Sequence, residues 1–592
     1  MTYKPRFTNL VTMLQESVAK NGPKPLFGTR RGGRWEWTTY AEFGRLVDEC
    51  RGGLAGLGVA PGDRVGVISN NRLEWIVAAH ATYGLGGAYA AMYETQLDKE
   101  WAYILKDSGA KICLVATRAI FDRVAKLRAE CPALEHVVVF DGAPPGEASY
   151  EELLRSGREK PVPAVTPAET DIASLIYTSG TTGNPKGVRL THYNLSANVS
   201  AILDVAPIRE EECSLAFLPW AHVYGGCIEL NGAISTGNAV AICDDTSKLI
   251  EYLPEVRPTM LFAVPRIWNR IYDGVQKQVA SKPKLIQSIF HLGMSARSKQ
   301  KRSEPLSLAE TVCLPLARKL VFSKIVARFG GRLRFAFSGA AALSREVAEF
   351  VDNLGIEVYE GYGLTESSGC TTSNRPGASR IGSVGKPIPG VEVKLDHDAP
   401  GANPGEGEIL IYGTGVMAGY HHLEEATTAA LTPDGGLRTG DLGRIDDDGF
   451  LYVTGRLKEL FKLSNGKYVA PAPLEEQIQL CPYVAQCVVY GEDRPHNVAL
   501  IVPDLDSLKA WAVAQGVTPT LPGLLEAKET RALYAAELAR LGADFKGYER
   551  IKSFFFEADP LTTENGMLTP TLKLKRRNVV KKYEAGFAAL YG

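Results

Sequence analysis

A loop rich in glycines and hydroxyl side chains has the composition needed to hold a polyphosphate. Residues 177–188 read Tyr-Thr-Ser-Gly-Thr-Thr-Gly-Asn-Pro-Lys-Gly-Val, after an apolar stretch that predicts a short strand at 173–176. Glycines let backbone N–H groups turn toward an anion, the hydroxyls add donors, and Lys186 adds positive charge. The spacing of the ordinary nucleotide loop, G-x-x-x-x-G-K-S/T, cannot be laid on this stretch. Taken alone, it is equally typical of a flexible surface loop.

A second group of small and aromatic residues suits a flat ring next to that polyphosphate. Residues 359–367 read Tyr-Glu-Gly-Tyr-Gly-Leu-Thr-Glu-Ser, which predicts a tight turn with an aromatic wall for a purine. Thr365 and Glu366 place a hydroxyl beside a carboxylate, and a carboxylate next to phosphates suits Mg²⁺. Upstream, Ser-Gly-Ala-Ala at 338–341 would let the backbone approach the ring closely. A strand-to-loop junction with a capping threonine is the alternative interpretation.

Three weaker motifs follow in the later part of the chain. Residues 439–441 are Thr-Gly-Asp, and an aspartate at a strand end can accept hydrogen bonds from both ribose hydroxyls. Gly-Arg-Leu-Lys-Glu stands at 455–459, and Thr-Glu-Asn-Gly-Met-Leu-Thr-Pro-Thr-Leu-Lys-Leu-Lys-Arg at 563–576. Taken singly, the tripeptide is common, and the lysines of the last motif are typical of a basic surface strand.

An α/β framework must position these motifs. Apolar β-branched runs alternate with helical patterns, which predicts an α/β protein with largely parallel strands. A helix is predicted at 74–83. Strands are predicted at 64–69, 111–116, 135–140, 239–243 and 333–338.

The chain is predicted to contain two domains, because 592 residues are too many for one core. We predict a large N-terminal domain at 1–456 with mixed and parallel sheets, including a β-rich subdomain at about 391–456. A small, mobile α+β domain is predicted at 457–592. Within it, helical periodicity from 505 to 541 is interrupted by a Pro/Gly patch at 518–523.

Composition excludes several classes of protein. The hydrophobic content of 45% is typical of a soluble globular protein, and the net charge of -1 gives no field for nucleic acid. The ten cysteines are scattered without ligand spacing, which favours a reduced, cytoplasmic protein without structural zinc. The N-terminus lacks a signal-peptide pattern, and 76–92 is expected to be a buried helix rather than a membrane span.

One segment, 266–334, departs from the neutral average. Its lysines and arginines greatly outnumber its acidic residues, which are Asp273, Glu304 and Glu310. A solvated helical face is one interpretation. The other is a patch that attracts anionic lipid surfaces, fatty carboxylates or the phosphates of a bulky cofactor, which would allow peripheral contact with a membrane. Oligomeric state is not predicted.

In their order, these motifs resemble the adenylate-forming (AMP-binding) superfamily, which includes acyl-CoA synthetases, luciferases and adenylation domains of peptide synthetases. Within it the chain looks most like a long-chain fatty acyl-CoA synthetase, and the resemblance covers nearly the whole chain. The stretches that carry this finer likeness are Leu-Pro-Trp-Ala-His-Val-Tyr at 218–224, Val-Pro-Arg-Ile-Trp at 264–268, Ala-Leu-Ile-Val-Pro-Asp at 499–504 and the Leu-Thr-Pro-Thr-Leu-Lys-Leu-Lys-Arg ending.

The resemblance implies a site for ATP and Mg²⁺. Its phosphate-binding positions are Thr178, Ser179, Gly180, Thr181, Thr182, Gly183 and Lys186. The positions that flank the adenine and the acyl group are Gly339, Ala340, Tyr362 and Gly363. Thr365 would contact the α-phosphate, and Glu366 would bind Mg²⁺. Asp441 would hold the ribose, and Arg456 would contact the ribose or a phosphate.

The resemblance also implies roles outside the nucleotide site. Lys573 matches the family's catalytic lysine, which bridges the attacking carboxylate and the α-phosphate, and Lys575 is the alternative two residues on. Lys458 matches a hinge residue, although a solvated charge is the plainer interpretation. His222 would orient the carboxylate, and Gly466 would face the CoA channel. Some bacterial relatives have a tryptophan gate shortly after this histidine, where this chain has Gly-Gly at 225–226.

The implied reaction is the activation of a fatty acid by ATP to an acyl-adenylate, followed by transfer of the acyl group to CoA. Two rivals keep the fold: a fatty acyl-AMP ligase that passes the acyl group to a carrier protein, and an aryl or medium-chain acid–CoA ligase. A rival of another class is a non-catalytic scaffold that binds nucleotide or lipid. The acyl chain length is not predicted.

Overall fold

The computed structural model describes residues 3–178, 184–569 and 572–592. Its strands are β1 (Pro25–Arg31), β2 (Arg34–Thr39), β3 (Arg64–Ile68), β4 (Ala88–Met92), β5 (Ile112–Thr117), β6 (His136–Asp141), β7 (Ile172–Thr178), β8 (Lys186–Thr191), β9 (Cys213–Ala216), β10 (Ala239–Ile242), β11 (Met260–Ala263), β12 (Phe335–Ser338), β13 (Glu357–Tyr362), β14 (Thr372–Ser373), β15 (Lys386–Pro387), β16 (Val391–Asp396), β17 (Gly407–Gly413), β18 (Leu437–Ile445), β19 (Leu451–Arg456), β20 (Phe461–Lys462), β21 (Tyr468–Val469), β22 (Val484–Tyr490), β23 (Asn497–Pro503) and β24 (Ile551–Phe556).

The helices alternate with these strands. They are α1 (Leu10–Asn21), α2 (Tyr40–Gly56), α3 (Leu73–Gly84), α4 (Asp98–Ser108), α5 (Arg118–Leu127), α6 (Tyr150–Glu159), α7 (His192–Val205), α8 (Gly232–Thr236), α9 (Leu249–Val256), α10 (Pro265–Ala280), α11 (Lys284–Lys301), α12 (Leu308–Ala317), α13 (Ser323–Ala327), α14 (Arg345–Asn353), α15 (Glu424–Ala430), α16 (Pro471–Ile478), α17 (Leu505–Gln515), α18 (Gly523–Glu526), α19 (Lys528–Leu541), α20 (Arg576–Lys582) and α21 (Glu584–Ala588).

The chain divides into two compact units, residues 1–394 with 410–439, and residues 395–409 with 440–592. The first unit contains a six-stranded sheet of order β6-β5-β3-β4-β7-β8, which is parallel except at the β7–β8 pair. It also contains sheets of order β2-β1-β10-β9 and β11-β12-β13-β14-β15. The predicted α/β class with largely parallel strands is confirmed. The predicted domain division at 456/457 remains a prediction.

The six-stranded sheet is covered on both faces, which explains why its strands are almost continuously apolar. In β3 every residue after Arg64 is buried, and in β5 every residue before Thr117 is buried. A capping box at Thr39 and Glu42 begins α2, which packs on α6 beside the sheet. The sheet therefore provides a rigid edge at which its loops can carry chemistry.

The second unit has a smaller sheet of order β22-β23-β24, in which β22 and β23 are antiparallel and β23 and β24 parallel. Apolar residues of this sheet form a core with Val579 and Phe587 from the last two helices. The Pro/Gly interruption predicted at 518–523 separates α17 from α19. The unit therefore packs its C-terminal segment onto its own sheet.

The prediction of one buried helix over 76–92 is wrong. The helix α3 ends at Gly84, and β4 begins at Ala88. Gly86 lies between them with a φ of +72°, a conformation that ends a helix readily only at glycine. Across the described ranges, no helix has the combination of length and apolarity that crossing a bilayer requires. All ten cysteines are free.

Candidate functional site

The two ends of the predicted phosphate loop lie on paired strands. Strands β7 and β8 pair in antiparallel register, and Thr178 at the end of β7 lies opposite Lys186 at the start of β8. Both residues are partly exposed. The five positions between them that were predicted to bind phosphate lie outside the described residues. They are Ser179, Gly180, Thr181, Thr182 and Gly183.

Lys186, Tyr420 and Glu366 form a linked cluster in the first unit. The Lys186 Nζ lies 4.7 Å from the centre of the Tyr420 ring, a cation–π contact. The Tyr420 hydroxyl donates a hydrogen bond of 2.8 Å to Glu366 Oε1. Burial, and then the Glu366 charge, raise the pKa of Tyr420 well above its usual range, so the phenol keeps the proton it donates. The structure thus joins two residues predicted to bind phosphate and Mg²⁺.

Backbone hydrogen bonds fix this cluster. Residues 417–421 run alongside β8, where Val188 forms an antiparallel bridge with Tyr420 and the His421 N–H donates to the Gly187 carbonyl at 2.7 Å. At the other end of the segment, the Met417 N–H donates to the Glu366 carbonyl at 2.9 Å. One short segment therefore connects the strand of Lys186 to the turn of Glu366.

Tyr420 is a site residue that sequence reasoning missed. It stands in the stretch Met-Ala-Gly-Tyr at 417–420, which matches no phosphate or metal motif. Its partner Glu366 lies 54 residues away, so no helical or strand periodicity relates them. A lone tyrosine after a glycine was the only available signal, and it is too common to predict a role.

The turn that carries Thr365 and Glu366 is a single turn of 3-10 helix, Thr365–Ser367. The Ser367 hydroxyl accepts a hydrogen bond of 2.9 Å from the Leu364 N–H, which caps the turn. From α7, the Asn198 side chain donates to the Cys370 carbonyl at 2.6 Å. Thr365 is buried, whereas Glu366 is partly exposed. The surroundings therefore orient the carboxylate while leaving it accessible.

The residues predicted to flank the adenine lie at one edge of a parallel sheet. Ser338 ends β12 and is in register with Glu360 on β13, so Gly339 and Tyr362 follow at the same edge. Ala340 has a left-handed backbone with φ of +70°. The buried Ser338 hydroxyl has no hydrogen-bond partner among the described residues, which fits an edge that receives a polar ligand.

Gly363 lies where the backbone folds back closely on itself after β13. A Cβ there would lie 2.4 Å from the Gly369 carbonyl oxygen, well inside van der Waals contact. Any side chain at this position would push apart the two arms of the turn after β13. The glycine is therefore required by the path of the backbone next to Thr365 and Glu366.

His222 precedes a π-helical segment, Tyr224–Asn231, in the first unit. Its Nδ1 accepts a hydrogen bond of 3.2 Å from the Tyr224 N–H, which fixes the ring orientation. Within the segment, burial raises the pKa of Glu229 to about 8, and the Ser214 hydroxyl donates to its Oε1 at 3.1 Å. His222 is thus held as a local structural residue, which is compatible with the predicted orienting role.

The glycine pair at 225–226 has a packing reason. A Cβ at Gly225 would lie 2.8 Å from the Pro219 carbonyl oxygen, and one at Gly226 would lie 2.3 Å from that of Trp220. The two glycines therefore let the π-helical segment close against the backbone that precedes His222. A bulky gate cannot be placed at these two positions in this conformation.

In the second unit, Asp441 and Arg456 are partners. They lie opposite each other on β18 and β19, and Arg456 Nε donates to Asp441 Oδ1 at 2.8 Å. The Asp441 side chain is 6% exposed and that of Arg456 is 37% exposed. The preceding Gly440 N–H donates to Glu408 at 3.0 Å. A buried carboxylate with a fixed orientation and a half-exposed guanidinium suits recognition of a ribose hydroxyl pair.

Lys458 and Gly466 lie in turns of the second unit. Lys458 is exposed in the turn that follows β19, where the Leu457 N–H donates to the Gly440 carbonyl at 2.7 Å. Gly466 is exposed with a φ of +84°, and its N–H donates to the Leu463 carbonyl at 2.9 Å. Both positions are accessible, and neither is held by a long helix or strand.

Lys573 is exposed and lies on one arm of an antiparallel pair, which we call the Lys573 hairpin (residues 568–569 with 572–574, since 570–571 lie outside the described residues). Its N–H donates to the Thr569 hydroxyl at 3.0 Å, and Leu568 forms a bridge with Leu574. Lys575 is less exposed, and its N–H donates to the Met567 carbonyl at 2.8 Å. Lys573 is thus the more accessible of the two candidate lysines.

A buried ion pair anchors the base of this hairpin. Arg576, the first residue of α20, donates through Nη1 and Nη2 to the two carboxylate oxygens of Glu475 at 2.7 and 2.6 Å. Glu475 also accepts from the Val489 N–H at 2.6 Å, which ties α16 to β22. The pair therefore joins the hairpin's C-terminal end to the core of the second unit.

The donor set fits a magnesium ion held largely by substrate. Among the described residues, no group of three or more His, Cys, Asp or Glu side chains could hold a metal by itself. Mg²⁺ in nucleotide sites is typically bound by one or two carboxylates together with phosphate oxygens and waters. A single accessible carboxylate at Glu366, close to Lys186 in the same cluster, meets that requirement.

Sequence comparison matches two family profiles to the chain. The profile described as AMP-binding enzyme matches residues 14–421, and the profile described as AMP-binding enzyme C-terminal domain matches residues 458–533. The two matches include the stretches that contain Lys186, Glu366 and Lys458.

Curated relatives align with nearly the whole chain. A Mycobacterium bovis protein named long-chain-fatty-acid–CoA ligase FadD15 is 34% identical over 98% of this chain and 97% of its own length. An Arabidopsis thaliana protein named long chain acyl-CoA synthetase 7, peroxisomal, is 34% identical over 94% of this chain and 82% of its own. The human long-chain-fatty-acid–CoA ligase ACSBG1 is 31% identical over 98% and 84%.

Solved structures share the fold at lower identity. The adenylation domain of a carboxylate reductase from Mycobacterium chelonae superposes with a TM-score of 0.80 at 22% identity, covering 99% of this chain and 92% of that one. ATP-bound MatB from Rhodopseudomonas palustris superposes with a TM-score of 0.73 at 22% identity, covering 99% and 100%. The architecture is therefore shared across the full length.

Proposed function

The chain belongs to the AMP-binding enzyme family, and from that premise we propose that it joins a long-chain fatty acid to CoA with ATP, yielding acyl-CoA, AMP and pyrophosphate. The observation that carries the proposal is the Lys186–Tyr420–Glu366 cluster, which brings a cation and an accessible carboxylate together. The substrate class comes from relatives that are named long-chain-fatty-acid–CoA ligases.

The first step forms a mixed anhydride. The fatty carboxylate, already ionised near neutral pH, attacks the α-phosphorus of ATP, and the bond to the β-phosphate breaks to release pyrophosphate. Lys186 would neutralise the leaving phosphates, and Thr365 would contact the α-phosphate. Mg²⁺ held by Glu366 supplies charge neutralisation at the phosphates when it is bound. No general base is required, because the nucleophile carries no proton.

Residues of the second unit would complete this step. Asp441 would bind the ribose hydroxyls, and its bond to Arg456 supports that role because it fixes the carboxylate. Lys573 would bridge the attacking carboxylate and the α-phosphate, and its exposure on the hairpin supports it over Lys575. These positive charges stabilise the transition state electrostatically. His222 would orient the fatty carboxylate without transferring a proton.

The second step transfers the acyl group. The CoA thiolate attacks the acyl carbonyl, and AMP leaves with the electron pair of the broken C–O bond. One carbonyl cannot readily accommodate both Lys573 and the thiol, so a C-terminal domain at 457–592 would turn about Lys458. Gly466 would then face the pantetheine channel. The exposure of Lys458 in a turn supports a hinge at this position.

The experiment is a measurement of AMP release with ATP, Mg²⁺ and CoA across fatty acids of graded chain length. Multiple turnovers that require CoA and increase toward long chains are expected. Steady AMP release with a carrier protein but not with CoA would instead indicate an acyl-AMP ligase. Preference for aryl or medium-chain acids would contradict the long-chain assignment, and no AMP with any acid would indicate a scaffold.

A cytoplasmic location with peripheral contact to a membrane follows from this proposal. Long-chain fatty acids partition into bilayers, so an enzyme that takes them up gains from lying on the surface. The basic segment 266–334 supports such contact, because cations attract anionic lipid headgroups. Fractionation of cells at low and high salt tests it: salt-sensitive recovery with membranes is expected, and full recovery in the soluble fraction at low salt would contradict it.

A further inference from the structure

A row of apolar side chains is exposed along α12. Leu308 is 89% exposed, Val312 64%, Leu316 41% and Leu320 40%. A spacing of four residues places them along one side of the helix, continuing into the π-helical segment Arg318–Phe322. Single exposed apolar residues are ordinary on protein surfaces, but a continuous row of four is typical of an interaction surface. We call this row the α12 stripe.

The opposite face of α12 packs against α11 in the first unit. Glu310 accepts hydrogen bonds from Ser295 at 2.7 Å and Lys299 at 2.9 Å, both on α11. Further along, Gly293 lets α11 approach Ala317, where a Cβ on the glycine would lie 2.3 Å from that of the alanine. The helix is therefore held by its buried face, and the α12 stripe leaves Leu308 and Val312 mostly exposed.

The surroundings of the α12 stripe are positively charged. Arg318, Lys319 and Lys324 are exposed, and none forms a salt bridge within the part of the chain that the structure describes. Glu310 is the only acidic residue between 305 and 345, and it is buried and paired with Lys299. The face therefore combines apolar side chains with unneutralised cations.

An open depression lies beside the α12 stripe. Its volume is about 610 Å³, and its polar lining is provided by Gln300, Thr311, Arg318 and Lys319. Two cations with a hydroxyl and an amide form a suitable environment for a phosphate group. The depression thus places two cations beside the α12 stripe.

We propose that the α12 stripe is the surface by which the first unit docks on an anionic phospholipid bilayer. Apolar side chains would insert at the headgroup–acyl boundary while the cations contact phosphates, as amphipathic interfacial helices do. Charge favours this occupant over a second copy of the chain, because two such faces would bring unneutralised cations together. The inference rests on the proposed peripheral location and assigns it to a defined face.

The test measures binding of the full chain to vesicles by flotation. The wild type is expected to bind vesicles of phosphatidylcholine mixed with phosphatidylglycerol, and to bind pure phosphatidylcholine much less. The double variant Val312→Glu/Leu316→Glu is expected to lose binding about tenfold or more, since it places charge in the inserted row. Ile250→Glu, a matched change at a residue that is 56% exposed on α9, should bind as the wild type does.

A second variant keeps the proposal falsifiable if the first fails to fold. Lys319→Glu/Lys324→Glu changes only exposed side chains and should weaken binding about tenfold, with the remaining binding less sensitive to salt. Undiminished vesicle binding by either folded double variant would overturn the proposal. So would a wild type that ignores anionic vesicles, or one that forms a dimer in sedimentation that Val312→Glu/Leu316→Glu abolishes.

The docking surface and the proposed activity can fail separately. AMP release from a fatty acid kept soluble below its micellar concentration should be the same in the wild type and in Val312→Glu/Leu316→Glu. A protein that binds anionic vesicles but releases no AMP with any acid would support the docking surface and contradict the proposed activity. A protein that releases AMP normally but does not bind vesicles would support the proposed activity and contradict the docking surface.

Discussion

Lys186 and Lys573, the two lysines proposed to contact phosphate, are held in opposite ways. Lys186 begins a paired strand and lies over the Tyr420 ring, in a cluster fixed by backbone hydrogen bonds. Lys573 is exposed on a short hairpin, which Leu568 and Arg576 anchor to the core of the second unit. Under the proposed roles, the difference teaches that the lysine which holds the nucleotide is part of a sheet, whereas the lysine which would give way to CoA is carried by an accessible turn.

The largest expected effect tests the role of the Lys573 hairpin. Lys573→Ala should lower acyl-adenylate formation about 10³-fold, because it removes the charge that bridges carboxylate and α-phosphate. Thioester formation from a supplied acyl-adenylate should be spared. Pyrophosphate exchange and thioester release are the two measurements. With Lys575→Ala as the control, near-normal exchange is expected; if the two variants exchange roles, Lys575 is the catalytic residue.

A second change tests whether the hairpin must move. Lys458→Pro should lower CoA transfer about 10²-fold while pyrophosphate exchange persists, because a rigid φ at the turn opposes rotation. The two half-reactions are measured separately, as for Lys573. Lys462→Ala, an exposed lysine on β20, is the control and should leave both rates unchanged. Normal turnover by the proline variant would remove the hinge hypothesis.

A third change tests the anchor of the hairpin. Glu475→Gln should destabilise the second unit by about 3 kcal/mol, because it leaves the Arg576 guanidinium buried without a counter-charge. Urea unfolding followed by tryptophan fluorescence measures it. Glu537→Gln is the matched control, since its partner Arg540 is 58% exposed, and should cost under about 0.5 kcal/mol. Equal losses from the two changes would show that the buried pair is not an anchor.

A fourth change tests whether the stability of the first unit depends on pH through Glu229, which lies in the π-helical segment. Burial raises the pKa of Glu229 to about 8, so the stability that its protonated form provides is complete below its usual value of 4.5 and is lost as pH rises toward about 8. Glu229→Gln should remove that loss and gain about 2 kcal/mol over the wild type at alkaline pH, with no gain at acidic pH. Unfolding free energies at several pH values measure it, and Glu304→Gln, an exposed glutamate, should show no such trend.

The smallest effect tests the cluster itself. Tyr420→Phe removes the hydrogen bond to Glu366 but keeps the ring under Lys186, so adenylate formation should fall about fivefold. Tyr420→Leu removes both contacts, so adenylate formation should fall further in that variant. Pyrophosphate exchange measures each variant. A Tyr420→Phe variant as slow as Tyr420→Leu would assign the whole effect to the hydroxyl, and one as fast as the wild type would assign it to the ring.

Much of the framework follows from local sequence. The strand predicted at 111–116 is β5, Ile112–Thr117, because a fully covered parallel strand must be apolar along its length. The helix predicted at 74–83 is α3, Leu73–Gly84. Such elements are predictable because the pattern of apolar residues that burial requires lies within one continuous segment of the chain. Motifs for the phosphate loop and for Glu366 are local for the same reason.

The remainder depends on contacts between distant residues. Tyr420 joins the site through a hydrogen bond across 54 residues, and the charge balance of 266–334 is altered by partners such as Asp352, which pairs with Lys301 from outside the segment. The packing of Gly225 likewise depends on the carbonyl of Pro219. Neither helical nor strand periodicity relates residues this far apart in sequence, so these contacts are visible only in the folded structure.

The glycine pair before the π-helical segment restricts how this protein can be redesigned. Because Gly226 lies against the Trp220 carbonyl, a larger residue introduced there would displace the main chain that precedes His222 before it narrowed any passage for the acyl tail. Engineering of chain-length preference should therefore begin at positions whose side chains already have room, and a library built at 225 and 226 should return mostly misfolded protein.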